Sequence, residues 1–179
     1  MGYRDLREFV AKLEKEGELK RVRAEVDPVL EITEVAQRVA RSKTRPPQSV
    51  GPALLFEKPK GSRVPLLINT FGSVRRMELA FDVDKLEDVA ARIQGFLKME
   101  TPQGLFDKIK MLPRLAELGS FFPKSVKSGA CKEVIRKGAD VKLLEFPILK
   151  CWPQDGGRFI TFPLVFTKNP ETGKRNVGM

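Results

Sequence analysis

The chain has 179 residues and carries 33 lysine and arginine residues against 23 aspartate and glutamate residues, a net charge of +10. Hydrophobic residues are 41% and charged residues 31%, a balance that excludes intrinsic disorder and low-complexity structure. Histidine is absent from the sequence, which excludes a histidine general base and a Ser-His-Asp triad within the chain. Because no stretch approaches ~20 apolar residues and no signal peptide opens the sequence, we expect a cytoplasmic protein without a transmembrane segment.

The distribution of charged residues and the number of cysteines indicate which ligands the chain could bind. Residues 101–179 hold 14 basic and 7 acidic residues, so this part is expected to prefer an anion such as a phosphate, a carboxylate substrate or nucleic acid. Aromatic residues are only 8%, which argues against nucleic acid. Cys131 and Cys151 are too few for a thiolate metal site, and without a secretory signal a disulfide is not expected.

The first elements in chain order are a helix and a strand. Asp5 and Glu8 have the spacing of a capping box, in which the first side chain caps the helix and the second reaches back. An apolar stripe of Leu6, Phe9, Val10 and Leu13 follows at helical spacing. The strand Leu19–Val26 comes next, with Val22, Ala24 and Val26 expected on one face. Asp27-Pro28 is expected to open a second helix, with proline at the first helical position. Its predicted apolar stripe is Ile32, Val35, Ala36, Val39 and Ala40.

Two short strands, Ala53–Phe56 and Val64–Ile68, are predicted to be buried. Ser73 is expected to cap a short helix that ends at Ala80. Asp84 is interpreted as the cap of the next helix, whose stripe is Leu86, Val89, Ala90, Ile93 and Leu97. A further helix, starting at Thr101-Pro102, should be interrupted or ended by Pro113.

The pattern changes after residue 120. Cys131–Arg136, Val141–Leu144 and Arg158–Thr167 are predicted as strands, and Asn169–Gly173 as a hairpin turn before a returning strand, Lys174–Met179. The fold class is therefore α+β, with an α/β domain over residues 1–118 and the start of a β-rich domain over 119–179. Because the sequence stops within a strand, we expect an N-terminal piece of a longer protein. Its residues after ~150 should be poorly packed or held by another copy of the chain.

Several motifs have both a functional and a structural interpretation. Cys151–Gly157 is a ligand loop or a tight turn packed by the chain's single tryptophan. Arg175 with Asn176 is interpreted either as an ion-binding pair or as part of an exposed strand. Gly72-Ser73 is interpreted either as an anion-binding turn or as a helix cap. The pairs Arg75-Arg76 and Arg21/Arg23 are interpreted as solvated faces.

Taken together, several segments resemble the N-terminal part of the UbiD family of decarboxylases. They occur in the family's order along essentially the whole chain: Tyr3–Phe9, Leu13–Leu19, Glu25–Pro28, Leu30–Glu34, Gly51–Glu57, Asn69–Ser73, Cys151–Gly157 and Pro170–Met179.

The resemblance implies reversible removal of CO₂ from aromatic acids of the 4-hydroxybenzoate type or from α,β-unsaturated carboxylic acids. It implies prenylated FMN as cofactor, supplied by a flavin prenyltransferase, together with Mn²⁺ or Mg²⁺ and K⁺ nearby. It also implies a homo-oligomer whose second domain is a split β-barrel that binds the flavin, and a role in ubiquinone biosynthesis.

Carried over by motif, the resemblance makes Asn176 a metal ligand and places Val177, Gly178 and Met179 against the flavin. Met179 stands where the family pattern has isoleucine. The resemblance assigns no catalytic residue to this chain, because the family's acid-base network and remaining metal ligands would follow residue 179. The competing hypothesis is a stand-alone flavin- or anion-binding module without catalysis.

Overall fold

The computed structural model describes residues 2–42, 50–98, 105–122 and 124–178. They form two compact units, one made of Met1–Leu86 with Leu143–Met179 and the other of Glu87–Lys142. None of the helices in these described ranges is long and apolar enough to span a bilayer. The elements are α1 (Leu6–Lys15), β1 (Leu19–Val26), α2 (Glu31–Arg41), β2 (Ala53–Pro59), β3 (Leu66–Ile68), α3 (Val74–Phe81), α4 (Leu86–Leu97), α5 (Leu105–Ser120), β4 (Val165–Lys168) and β5 (Arg175–Gly178).

A three-stranded sheet organises the first unit. Its order is β1-β2-β3, with β1 parallel to β2 through the α2 crossover and β2 antiparallel to β3. Alternate residues of β2 face two different apolar clusters, because side chains of a strand point to opposite sides. Leu54 and Phe56 pack in the cluster that contains α2, whereas Ala53 and Leu55 pack with residues of α1 and α3. The prediction that this strand is buried is confirmed. The second predicted strand, Val64–Ile68, is confirmed only in part, because β3 begins at Leu66 and Val64 is exposed.

The register of β1 shifts between Val22 and Glu25, so one strand has an extra residue there. Such a bulge breaks the alternation of side chains. Ala24, expected on the same face as Val22 and Val26, is exposed as a result.

The capping prediction for α1 is confirmed. The Asp5 carboxylate accepts a hydrogen bond from the Glu8 backbone N–H at 3.0 Å. The Glu8 carboxylate reaches back one residue further than expected and accepts from the Arg4 N–H at 2.7 Å. The helix buries Phe9 and Leu13, as its stripe predicts, whereas Leu6, at the first position of the helix, is exposed.

The predicted start of α2 at Pro28 is wrong. The Asp27 carboxylate accepts the Val29 N–H at 2.8 Å, which folds residues 27–30 into a turn, and the helix begins only at Glu31. The stripe itself is correct, since Ile32 and Ala36 are buried and Val35 and Val39 pack against the same cluster.

Two other helix boundaries also differ from expectation. The α4 helix begins at Leu86, one residue later than a cap at Asp84 requires. Pro113 lies inside α5, although the predicted start at Thr101-Pro102 lies outside the described residues. A proline removes one helical hydrogen bond, but the good helix formers after it, Leu115 to Leu118, carry the helix on to Ser120.

Most of the β-rich prediction after residue 120 is wrong. Three short 3₁₀ turns, at Ala130–Lys132, Gly138–Asp140 and Leu143–Glu145, replace the predicted strands between residues 131 and 144. A strand needs a hydrogen-bonding neighbour, and the apolar side chains of this segment are exposed instead of packed. Of the predicted strand Arg158–Thr167 only the end forms, since β4 begins at Val165. It pairs antiparallel with β5 through the predicted Asn169–Gly173 turn. The fold is mixed α and β, and the described residues contain no closed barrel.

Candidate functional site

The hairpin of β4 and β5 carries the residues that the sequence assigned to cofactor binding. Its turn is braced by the Asn169 side-chain oxygen, which accepts from the backbone N–H groups of Glu171 at 2.9 Å and Thr172 at 2.7 Å. Gly173 has a φ of 68°, a conformation that glycine adopts without strain. This turn chemistry fixes the register of the two strands.

Asn176 and Gly178 share one face of the hairpin. Asn176 is paired with Thr167 and Gly178 with Val165. A side chain added at Gly178 would place its Cβ 3.9 Å from the Asn176 amide nitrogen. Val177 lies on the opposite face. The structure therefore brings together two of the three described candidates, Asn176 and Gly178, and Met179 lies outside the described residues.

The hairpin does not by itself make a metal site. Asn176 offers one neutral oxygen, and Mn²⁺ or Mg²⁺ requires about six oxygen or nitrogen donors. Within the described ranges no three Cys, Asp or Glu side chains come together as a ligand set. The hairpin alone therefore supplies at most one ligand to such an ion.

The Cys151–Gly157 loop is a tight turn braced by Asp155. The Asp155 carboxylate accepts the backbone N–H of Cys151 at 3.1 Å and of Trp152 at 2.9 Å. Both bonds go to the same oxygen, Oδ2. Trp152 does not pack the turn, since 46% of it is exposed.

An apolar cleft of about 430 Å³ lies between β3 and the segments at residues 143–149 and 159–161. Arg158 braces its wall by donating to the Ile148 carbonyl at 3.3 Å, and the Phe159 N–H donates to the Leu149 carbonyl at 3.0 Å. Thr161 supplies a hydroxyl group at the rim of otherwise apolar side chains. Sequence reasoning missed this cleft, whose signal is the pair of apolar runs around Pro147 and Ile160.

The interpretation of Arg76 as part of a solvated face is wrong. Its side chain is completely buried, and its guanidinium Nη1 donates at 2.8 Å to both the Glu18 carboxylate and the Gly51 carbonyl. Arg76 shares the buried face of α3 with Leu79, one helical turn away, and this directs its side chain inward. Its Nε and Nη2 atoms have no acceptor among the described residues.

The other basic pairs and the Gly72-Ser73 turn follow the structural interpretation. Arg75 lies on the surface and pairs with Glu16 at 3.0 Å, and Arg21 pairs with Glu14 and Glu57. The Ser73 hydroxyl accepts the Arg76 N–H at 3.2 Å, so this residue is an ordinary helix cap.

Comparisons with known proteins define the class to which this arrangement belongs. The family model of the 3-octaprenyl-4-hydroxybenzoate carboxy-lyase N-terminal domain matches residues 10–94. The model of the Rift-related domain of the same carboxy-lyases matches residues 124–179. The chain therefore contains two successive parts of one class of carboxy-lyases.

Whole relatives extend the match over the entire chain. An uncharacterized protein of Archaeoglobus fulgidus is 48% identical over 179 residues, covering 100% of this chain and 35% of the relative. One of Aquifex aeolicus is 49% identical over 177 residues, covering 99% of this chain and 35% of the relative. The chain thus spans about a third of the length of these relatives.

Solved structures agree in fold. The open form of vanillic acid decarboxylase from Sedimentibacter hydroxybenzoicus has a TM-score of 0.68 at 31% identity, over 99% of this chain and 35% of that chain. The UbiD-class enzyme HmfF of Pelotomaculum thermopropionicum, in complex with FMN, has a TM-score of 0.66 at 27% identity, over 96% and 32%. The chain belongs to the UbiD family and corresponds to its N-terminal part, as the resemblance predicts.

Proposed function

We propose that the chain is the N-terminal part of a prenylated-FMN-dependent decarboxylase that acts reversibly on aromatic, 4-hydroxybenzoate-type or α,β-unsaturated carboxylic acids. The observation that carries the proposal is the likeness to HmfF, whose structures contain FMN in one case and prenylated FMN in a dimeric form. When bound, such a flavin supplies the electron sink for loss of CO₂.

In this proposal residues 119–179 are the first part of the split β-barrel, and residues 1–118 the domain before it. The backbone of Val177, Gly178 and Met179 would face the flavin, and β5 has an edge that β4 leaves unpaired. Asn176 would contribute one oxygen to a Mn²⁺ or Mg²⁺ ion whose other ligands lie elsewhere. The chain alone is inactive, because none of its residues is assigned as general acid.

The partners expected from the family remain part of the proposal. A flavin prenyltransferase would supply the cofactor, and the parent protein would be a cytoplasmic homo-oligomer. K⁺ and a place in ubiquinone biosynthesis stay predictions of the same kind.

A chimera tests the proposal most directly. The chain is fused to the remaining part of the A. fulgidus relative, and flavin binding and CO₂ release are measured with and without prenylated FMN. We expect the chimera to bind the flavin and release CO₂ from an aromatic or unsaturated acid, and the isolated chain to release none. Asn176→Ala should weaken flavin binding, whereas Gln94→Ala, on the exposed surface of α4, should not.

Two outcomes would contradict the proposal. If the chimera is folded, as judged by circular dichroism, yet binds no flavin, the proposed flavin dependence is wrong. If the isolated chain releases CO₂, the prediction that it is inactive is wrong. The alternative, a flavin- or anion-binding module, is supported by the exposed cross-strand pair Lys168 and Arg175. Stoichiometric FMN binding by the isolated chain without CO₂ release would favour that alternative.

A further inference from the structure

Residues 27–31 form a strained turn. Leu30 has a φ of 69° and a ψ of −43°, and the Glu31 N–H donates to the Val29 carbonyl at 2.9 Å. This is a γ-turn with positive φ, a conformation that residues with a side chain rarely adopt. Such strain persists only where the surrounding contacts over-determine it.

Three further hydrogen bonds hold this Asp27–Glu31 turn. The Asp27 carboxylate accepts from the Val29 N–H at 2.8 Å, and the Glu31 carboxylate accepts from the Asp27 N–H at 2.7 Å. The Asp27 carbonyl accepts from the Ile32 N–H at 3.1 Å. Pro28, at the centre of the turn, is fully buried, so the turn is anchored to the core.

The turn makes two backbone hydrogen bonds with Lys150, which lies far along the chain. The Leu30 N–H donates to the Lys150 carbonyl at 2.8 Å, and the Lys150 N–H donates to the Pro28 carbonyl at 3.2 Å. Val29 and Lys150 thereby form a parallel bridge. Both neighbours of Lys150 contact the core: Leu149 is buried in the apolar cluster that contains α2, and Cys151 packs against that cluster.

We infer that the Asp27–Glu31 turn is a positioning device for the backbone of Lys150. Both polar groups of Lys150 are bound by the turn, and Leu30 must keep its strained conformation for its N–H to meet the Lys150 carbonyl. Lys150 opens the segment that includes the Asp155 turn, a wall of the apolar cleft and the hairpin with Asn176. The purpose of this positioning rests on the proposed function, which assigns that hairpin to the flavin.

The two cysteines provide a measurement that needs no flavin. Cys151, next to Lys150, is half-buried, and Cys131 is exposed and serves as an internal reference. We compare the rates at which a thiol reagent labels each cysteine in native protein. Amide exchange of β2 reports global unfolding in the same samples, and fluorescence of Trp152 gives a third readout.

The variants separate the turn from its surroundings. Asp27→Ala removes the acceptor for Val29, Asp27→Asn keeps an acceptor oxygen, and Glu34→Ala changes an exposed acid of α2 that pairs with Arg38. Leu30→Pro removes the N–H that binds Lys150 and forbids a positive φ. Leu30→Gly keeps this N–H and adopts a positive φ without strain.

In Asp27→Ala we expect Cys151 labelling to rise by about tenfold or more, the scale set by losing a hydrogen bond to a charged acceptor. In Leu30→Pro we expect it to rise as well, because the bond to the Lys150 carbonyl is lost. Labelling of Cys131 and exchange of β2 should stay unchanged. Asp27→Asn, Leu30→Gly and Glu34→Ala should keep Cys151 protected. Unchanged Cys151 labelling in Asp27→Ala would overturn the inference, and so would a parallel acceleration of β2 exchange. Neither result bears on flavin binding, so the inference and the proposed function fail separately.

Discussion

Arg75 and Arg76 are adjacent in the sequence and lie in opposite environments. Arg75 has about half of its side chain in solvent, and Arg76 has none. An exposed ion pair is worth little because water screens it, whereas a buried charge that loses its partner is strongly destabilising. The local sequence does not distinguish the two, since Glu18 and Gly51 are brought to Arg76 by the fold.

Replacing each arginine by alanine should therefore give very different results. Arg76→Ala removes the partner of Glu18 and a bond to the Gly51 carbonyl, and we expect a loss of about 3–5 kcal/mol in the free energy of unfolding. Arg75→Ala should change it by less than about 1 kcal/mol. Urea denaturation measures the free energy of unfolding of both variants. Equal losses would show that the buried bonds of Arg76 to Glu18 and Gly51 do not stabilise the fold.

Glu14 gives the chain part of its dependence on pH. A hydrogen bond from the Arg21 guanidinium holds the pKa of the Glu14 carboxyl below its usual value of 4.5. A lowered carboxyl pKa contributes stability that is present above the unfolded-state value and is lost as the pH falls through the folded-state value. The effect is modest because both side chains are partly exposed.

The corresponding prediction concerns thermal melting in acid. The melting temperature should fall as the pH is lowered from about 5 to about 3, and Glu14→Gln should make this fall shallower. Glu171→Gln, an exposed change in the hairpin turn, is the matched control. A profile for Glu14→Gln as steep as that of the unchanged chain would contradict the assignment.

At the scale of elements, helix caps offer a sharp comparison. Asp5 caps α1 through a bond to the Glu8 N–H, whereas Asp84 stands one residue before the cap position of α4. Asp5→Ala should lower the melting temperature by about 2–4 °C, the usual effect of losing a cap in a protein of this size. Asp84→Ala should leave it nearly unchanged. Equal shifts for the two variants would indicate that α4 starts earlier than Leu86.

The elements that the sequence predicts well are those defined by local patterns. The apolar stripes of α1 and α2, the buried strand β2 and the Asn169–Gly173 turn depend on spacing and turn chemistry within a few residues. Distant contacts decide the cases that fail. The turn that delays the start of α2 combines the local Asp27 bond with backbone bonds to the distant Lys150. The expected strand Cys131–Arg136 has no partner strand among the described residues.

The candidate site divides in the same way. The hairpin register that places Asn176 beside Gly178 follows from the turn, so it could be predicted. The apolar cleft could not, because its walls come from three separate segments. The roles of Asn176 and of the backbone beside it come from family resemblance and remain predictions.

At the scale of the whole molecule, apolar side chains of the last segment face water. Phe162 is 74% exposed and Phe166, within β4, is 66% exposed. Among the described residues the sheet of β4 and β5 has two strands, so each strand has an unpaired edge. Exposed apolar side chains and unpaired strand edges both favour association with another chain. This surface is where we expect copies of the isolated chain to meet.

Sedimentation velocity at increasing concentration tests this expectation. The isolated chain should associate as its concentration rises, and the double change Phe162→Ser with Phe166→Ser should weaken that association. Phe122→Ser, an equally exposed phenylalanine in the other unit, is the control and should have little effect. A chain that stays monomeric throughout would contradict the prediction.

The bridge between Val29 and Lys150 also has a consequence for the order of folding. During synthesis all three strands of the first sheet are complete once Ile68 has emerged, and their pairing closes only moderate loops. The bridge must wait for Lys150, and it closes one of the longest loops in the chain. Contacts between such distant residues form slowly, and domains begin to fold from the N-terminus as they are made. Leu30 is therefore expected to enter its strained conformation last, when the sheet beneath it is already rigid enough to hold it.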